Sequence, residues 1–367
     1  MTSSVTSGAN SGTANSGTTS RAESLLRRMV EVPSTTGEEA ELASLLAREL
    51  PEWGFRSHID EVGNVIGRRG DPDAPMIMLM GHMDTVPGDI PVRQEGSLLY
   101  GRGTVDAKGP LATMIAAAAA ADLRGMQVVV AGVVEEETFG KGAQHLAETF
   151  RPDVAVVGEP NGWAGVGIGY KGRVMMRYDV SRPAVHTASP EEKATEAAAL
   201  FWDRVRSYCD SYCEVVAAGD RAFDRPVPTL NDITGTIERA LMTVSVRTPP
   251  GFDLSAFERF VTDAARDGTL YVDDRTPPVR VDPAGPAVRA LCAGIRRRGE
   301  RPKLKLKTGT ADLNIVEPRW QVPMAVYGPG DSSLDHTDRE HIDLVEYGRA
   351  VEVLREALGI LAQAEWR

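Results

Sequence analysis

The sequence predicts an α/β fold, a central mostly parallel sheet flanked by helices, with a second α+β unit inserted into it. Three observations lead there. Short continuous apolar runs alternate with helical patterns, as expected of strands buried on both faces. Several of those runs stop abruptly at His, Asp or Glu. A middle stretch instead alternates apolar and polar residues. At roughly 150 residues per domain, a chain of 367 residues has room for two such units.

Residues 1–19 (MTSSVTSGANSGTANSGTT) hold almost nothing to bury, so a disordered tail is expected. The tail has neither the basic start nor the apolar stretch of a secretory signal, and a cytoplasmic location is the default. Helical spacing follows, with Leu25, Leu26, Met29 and Val30, then Leu42, Leu45, Leu46 and Leu50. Residues 76–80 (MIMLM) read as a buried strand ending at Gly81-His82-Met83-Asp84. An Ala-rich helix is expected over 111–123. A second strand, 126–134, ends at Glu135-Glu136-Glu137, and a third, 154–157, at Gly158-Glu159-Pro160. A fourth, 322–327, ends at Gly328-Pro329-Gly330-Asp331, with His336 following. In open α/β sheets, function collects at the carboxyl ends of strands. One strand meeting polar residues is a strand meeting solvent; three together with a late His point to a site.

The middle stretch predicts a strand at 172–180 and a capping box at Ser189-Pro190-Glu191-Glu192 that opens a helix. That helix should reach about Cys213, with Ala194, Ala198, Phe201, Val205 and Tyr208 or Cys209 on one face. A strand at 241–247, a helix near 254–266 and a strand at 269–272 complete a compact α+β unit.

Charge and cysteine content exclude several classes. Acidic residues outnumber basic ones by 52 to 41, a net charge of −11, which disfavours nucleic acid as a partner. The cysteines are Cys209, Cys213 and Cys292; this odd, sparse set fits a reducing compartment and excludes a disulfide scaffold. No apolar run reaches the roughly 18 residues of a membrane span.

The polar strand ends have the chemistry of a metal centre. Zinc takes imidazole and carboxylate ligands. His82 offers nitrogen, and Asp84 is placed to orient a ligand imidazole. Asp106 lies in a Gly-rich turn, GRGTVDAKG, that can deliver one carboxylate to the strand ends. Glu135, Glu136 and Glu137 repel one another unless cations or protons are shared among them. Glu159 adds a carboxylate and His336 a second nitrogen. Two imidazoles and at least three carboxylates suit two metals bridged by one carboxylate, with one further glutamate as general base.

In GHMD (81–84), GRGTVDAKG (101–109), EEE (135–137), GEP (158–160), GTAD (309–312) and HTDRE (336–340), the chain resembles the zinc aminoacylase and carboxypeptidase family. Acetylornithine deacetylases and succinyl-diaminopimelate desuccinylases belong to it. The resemblance implies His82, Asp106, Glu137, Glu159 and His336 as metal ligands, with Asp106 bridging two divalent ions. These are zinc first, with cobalt or manganese accepted by the same donors. It implies Glu136 as general base and Asp84 as a supporting catalytic residue. The family usually has Asp-Glu-Glu where this chain has Glu135-Glu136-Glu137. His186 resembles a histidine that reaches across a dimer to the oxyanion. Gly309 and Thr310 resemble a substrate-contacting loop. Arg247 resembles an arginine that holds a substrate carboxylate, with a strand-end salt bridge as its plain alternative. The implied domains are a metal-binding catalytic domain over 20–168 and 282–367, and a ferredoxin-like dimerisation or lid domain over 169–281. The implied assembly is a homodimer.

The wording GHMDTVPGDIPVR…LYGRGTVDAKGPLATMIAAA is similar to a narrower group. Its members release lysine or ornithine from the C-terminal glutamate γ-carboxyl of a small acidic amino-group carrier protein. One local feature suits such a substrate. Residues 296–307 (RRRGERPKLKLK) are strongly basic and run into Gly309-Thr310. They could steer an acidic carrier, or form a solvated helix end and an edge strand guarded by lysines. Three other readings remain at this stage. One is a deacylase of acetyl-lysine or acetylornithine, one a dipeptidase, and one a non-catalytic binding protein of the same fold. The last predicts damaged ligands, whereas all are present.

Overall fold

The computed structural model describes residues 11–215 and 221–364, with the side chains of the first helix described from Ser20. Internal contacts divide the chain into two compact units. One runs to Ile168 and resumes over Val281–Lys305 and from Ile315 onward; the other comprises Gly169–Arg280 and Leu306–Asn314.

The first unit begins with helices α1 (Ser11–Glu31) and α2 (Ala40–Glu52), then strands β1 (Arg56–Ile59), β2 (Val65–Gly70), β3 (Met76–His82), β4 (Arg93–Glu95) and β5 (Leu98–Tyr100). Helix α3 (Lys108–Ala120), β6 (Gln127–Val133), α4 (Lys141–Thr149), β7 (Val154–Gly158) and β8 (Gly165–Tyr170) follow. The second unit carries β9 (Gly172–Ser181), α5 (Ala194–Val215), β10 (Val227–Gly235), β11 (Arg239–Thr248), α6 (Leu254–Ala265), β12 (Thr269–Thr276) and β13 (Val279–Arg280). The chain closes with α7 (Pro286–Arg297), β14 (Lys303–Lys307), α8 (Leu313–Trp320), β15 (Met324–Val326), β16 (His341–Asp343) and α9 (Leu344–Leu361).

In the first unit the main sheet runs in the order β1-β2-β6-β3-β7-β15-β8. Its middle strands β6, β3, β7 and β15 are parallel, and the flanking pairs are antiparallel. Every residue of β6 and β7 is buried, which is why these strands read as unbroken apolar runs. Each Val side chain buried there contributes about 1.5–3 kcal/mol. The register aligns the strand ends: Gly81 pairs with both Gly132 and Gly158, and His82 with Val133. The residues after β6 and β7 therefore emerge level with His82.

Helix α3 is buried on all sides from Lys108 to Ala118. Its small Ala side chains let it pack on the sheet while also meeting α1 and α9. It starts at Lys108, ahead of the expected 111, because the loop bearing Asp106 turns directly into it. Helix α1 extends back to Ser11, into the stretch expected to be a disordered tail. Once Leu25, Leu26 and Met29 anchor the helix in the core, each added residue gains a hydrogen bond without a new nucleation cost. Residues 1–10 of that tail lie outside the described residues.

The second unit is a four-stranded antiparallel sheet, ordered β10-β11-β9-β12. With α5 and α6 as its connections it has the ferredoxin-like arrangement. Val174, Met176, Tyr178 and Val180 of β9 interleave with Ala240, Met242, Val244 and Val246 of β11, against Phe201, Val205 and Cys209 of α5 and Phe257 and Val261 of α6. Tyr178 stacks on Phe201 at 4.4 Å. Strand β10 was not expected. Its sequence, VPTLNDITG, is mostly exposed and bulged between Leu230 and Asp232, so no period marks it. The expected capping box at Ser189 is also displaced. Helix α5 starts at Ala194, and Glu196 reaches back to accept the N–H of Lys193 at 2.8 Å. Residues 186–189 instead form a turn, closed by Ser189 N–H to His186 O. Among the described residues no helix is long and apolar enough to cross a membrane.

Candidate metal centre

His82, the last residue of β3, is 1 % exposed. Its Nδ1 bonds to the carbonyl of Asp84 at 2.9 Å. That bond fixes the ring and turns Nε2 toward Asp106 Oδ1, 3.1 Å away. A donor bond from the far ring nitrogen to a backbone carbonyl is the usual support of a metal-ligating histidine.

The carboxylate of Asp84 faces both the His82 imidazole and the turn after β6. It stands 3.5 Å from His82 Nδ1, while its short bonds go to the turn after β6. Oδ1 accepts Glu136 N–H at 3.0 Å and Oδ2 accepts Glu137 N–H at 3.1 Å. The Thr36 hydroxyl donates to Oδ2 at 2.9 Å. Glu39, also buried, accepts the N–H of Glu135 at 3.1 Å. Asn64, fully buried, accepts Val134 N–H at 3.1 Å and donates to Asp60 and to the carbonyl of Gly142. Glu135 is held with φ at 59°, a conformation that costs a non-glycine residue about 1–3 kcal/mol. These bonds hold it there and aim Glu136 and Glu137 at the strand ends.

Asp106 arrives through the turn 101–106. Gly103 takes φ 83°, and a Cβ there would stand 2.9 Å from Thr85, so the turn requires glycine. The Asp106–Ala107 peptide is cis. Glu159 follows β7 and is buried; Asn161 Nδ2 donates to its carbonyl at 3.0 Å. A Cβ on Gly328 would meet that carbonyl at 2.8 Å, so a glycine lets the loop after β15 approach. His336, on that loop, also takes a positive φ, 60°. Its Nε2 lies 3.1 Å from both Asp106 Oδ2 and Glu137 Oε1.

Three donor groups result among the described residues, and two of them share only Asp106. His82, Asp106 and Glu159 form one, and Asp106, Glu137 and His336 the other, each with ligand atoms within 4.8 Å of one another. Asp106 gives Oδ1 to the first imidazole and Oδ2 to the second. Two donors about 2.1 Å from a tetrahedral ion would be about 3.4 Å apart, close to the 3.1 Å seen between His and Asp106. The donor set fits a divalent-metal centre with Asp106 facing both imidazoles. Glu136 joins His82 and Glu137 in a third grouping of the same cluster. The electrostatics agree. Burial pulls the His82 imidazole down, but bonds to Asp106 and Asp84 and the charge of Glu136 push it well above its ordinary value. Bonds to Asp106 and Glu137 raise His336 to about 10. Burial raises Asp106, but the two imidazoles outweigh it and hold the carboxyl below the usual range. The carboxylates gather negative charge around the two imidazoles.

Arg247 and Thr310, both assigned to substrate contact, are joined in the second unit: Arg247 Nη1 donates to Thr310 Oγ1 at 2.7 Å. Asn314 holds their loop, accepting Ala311 N–H at 2.9 Å and donating to the carbonyls of Lys171 and Pro277. A Cβ on Gly309 would meet nothing within 4 Å. His186 is exposed in the same unit. Its Nδ1 accepts Ala188 N–H at 3.1 Å, which leaves the ring proton on Nε2.

Sequence reasoning missed the polar groups that brace these loops: buried Glu39, Asn64, Lys108 and Glu340, and half-buried Arg102. Arg102, Lys108 and Glu340 lie inside quoted motifs, yet a charged residue in a motif does not reveal which backbone amide it serves. Lys108 Nζ donates to the carbonyl of Val32 at 2.8 Å, and burial pulls its ammonium down to about 8.

The chain is similar to several known proteins. The chain is 41% identical over 349 residues to the [LysW]-lysine hydrolase of Deinococcus radiodurans, covering 92% of this chain and 96% of that protein. It is 32% identical over 283 residues to the [LysW]-lysine/[LysW]-ornithine hydrolase of Saccharolobus islandicus, covering 74% and 77%. A tripeptidase of Staphylococcus aureus has the same fold at a TM-score of 0.78 and 16% identity, over 94% of this chain and 99% of that one. An M20 family metallo-carboxypeptidase of Sulfolobus solfataricus matches at 0.77 and 14% identity, over 94% and 100%. The profile described as Peptidase family M20/M25/M40 matches residues 78–359. With that match over most of its length, the chain belongs to peptidase family M20/M25/M40.

Proposed function

We propose that this chain is a metal-dependent amide hydrolase. It releases lysine, or ornithine, from the C-terminal glutamate γ-carboxyl of an acidic amino-group carrier protein. One observation carries the hydrolase reading: two three-residue donor groups share Asp106 and include Glu137, the neighbour of Glu136. The substrate comes from the likeness to the two [LysW] hydrolases above. In this reading residues 169–281 serve as a dimerisation or lid domain, and residues 20–168 and 282–367 bind the metals. Cys209, Cys213 and Cys292 are free thiols, which suits a cytoplasmic biosynthetic enzyme.

His82, Asp106 and Glu159 would hold one ion and Asp106, Glu137 and His336 the other, zinc first, with cobalt or manganese accepted. Bound there, divalent ions supply Lewis acidity for the amide carbonyl and lower the pKa of water. The chain's own groups do the rest. A Glu136 carboxylate oxygen takes the proton of the attacking water, and the C–O bond forms. Glu136 then returns the proton to the leaving amine nitrogen as the C–N bond breaks, giving a carboxylic acid and a free amine. Asp84 keeps the Glu136 amide in place through this exchange. Nε2–H of His186 of the partner subunit donates to the carbonyl oxygen as negative charge develops there. The Arg247 guanidinium, steadied by Thr310, binds a substrate carboxylate, and Gly309 leaves room beside it.

The test is product analysis by mass spectrometry with carrier-lysine, carrier-ornithine and N-acetyl-lysine in one reaction, with and without chelator. Free lysine or ornithine from the carrier, lost on chelation, is expected. Preferential consumption of N-acetyl-lysine would make the chain a small-molecule deacylase. No consumption of any substrate would favour a non-catalytic member of the fold.

A further inference from the structure

Arg102 and Glu340 are 238 residues apart in the chain and 3.0 Å apart in space, from Nη1 to Oε2. Glu340 is 1 % exposed. A buried acid beside Asp106 is costly on its own, because burial and the Asp106 charge both raise its pKa. Its bonds explain why it is there. Oε1 accepts the backbone N–H of Val105 at 2.9 Å and of Asp106 at 3.1 Å. Arg102 Nη1 also donates to the carbonyl of Thr337, next to His336, at 3.1 Å, and Nε donates to Gly88 O at 2.9 Å. Immediately outside this pair, His341 of β16 registers with Tyr100 of β5. One ion pair thus ties the backbone of Asp106 to the backbone beside His336.

The two donor groups depend on this tie unequally. Asp106 and His336, two of the three residues of the second group, sit on loops that the pair joins. In the first group, His82 ends β3 and Glu159 follows β7, and direct ladder pairing sets their level. We infer that Arg102 and Glu340 form a positioning clamp that sets the affinity of the ion held by Asp106, Glu137 and His336, while the sheet sets that of the ion held by His82, Asp106 and Glu159. The inference rests on the two-ion reading proposed above and adds which ion the clamp governs.

The experiment titrates the full-length protein, stripped by chelation, with Zn²⁺ by calorimetry and with Co²⁺ by visible absorption. Wild type, Glu340→Gln, Arg102→Lys and His336→Ala are compared, with circular dichroism to confirm folding. Glu340→Gln keeps an acceptor oxygen for the amides and loses the charge; Arg102→Lys keeps the charge and loses the fork. Wild type should bind two ions. Either clamp variant should keep one event within a few-fold and weaken the other about 10–100-fold. Its surviving Co²⁺ spectrum should match that of His336→Ala. Equal weakening of both events, or of neither, in a folded variant overturns the clamp alone. A wild type that takes up no divalent ion overturns the metal reading with it.

Discussion

Asp84 Oδ1 accepts the backbone N–H of Glu136 at 3.0 Å, across 52 residues of sequence. The other oxygen takes Glu137 N–H and the Thr36 hydroxyl. One buried acid thereby sets the backbone of both the expected base and a metal ligand. An Asn side chain has one acceptor oxygen and two donor hydrogens, so it cannot serve all three donors. Asp84→Asn should lower kcat about 10–100-fold and cost on the order of 1–3 kcal/mol of stability. Steady-state kinetics with a thermal melt checks both; unchanged values would mean the turn after β6 holds itself.

Glu136→Gln should keep its metal and lose turnover. Removing the proton acceptor should cut kcat by roughly 10²–10⁴, with metal content, measured by plasma mass spectrometry, equal to wild type. A variant that turns over normally would exclude Glu136 as the base.

The basic stretch before Gly309 now has a shape. Residues Lys303–Lys307 form strand β14, with Lys303 exposed and Lys305 and Lys307 half-buried. Arg297 pairs with Glu356, and Arg298 with Glu352 at 2.9 Å, so part of the positive charge is spent within the fold. Reversing the charge of Lys303, Lys305 and Lys307 together should raise KM for a carrier-linked substrate far more than for a small acyl-lysine. The gap should narrow at high salt. Equal effects on both substrates would leave these lysines as guards of an edge strand.

Lys171, fully buried in the second unit, donates from Nζ to the carbonyl of Arg225 at 2.5 Å. Burial lowers its pKa from 10.5 to about 8. Between those values the unfolded chain carries a proton that the folded chain has released, so stability from this group rises with pH. Below pH 8 the cost of burying the charge is paid in full. The Tm of wild type minus that of Lys171→Met should therefore grow between pH 7 and pH 10. A difference that shrinks would reverse the sign of the shift.

The sequence shows much of this site because its ligands sit where patterns break. His82 and Glu137 are visible because each follows a run of buried strand residues, and Glu159 follows β7 in the same way. His336 is less visible: only a short strand precedes it, and a positive φ rather than a periodic element places it. Glu340 and Arg102 were in plain view and unread, because they meet each other and nearby backbone groups only through the register of β5 and β16. Strand β10 escaped for a different reason. An exposed edge strand has no buried face, so alternation gives no signal. The start of α5 was misplaced because Ser189-Pro190 resembles a cap, yet Glu196 supplies the bond one turn later.

Anomalous diffraction at the zinc edge, from crystals of the metal-loaded protein, tests the shared carboxylate most directly. Two peaks flanking Asp106 are expected, one against His82 and Glu159 and one against Glu137 and His336. A single peak, or peaks that leave Asp106 unligated, would contradict the two-ion centre on which the proposed hydrolysis depends.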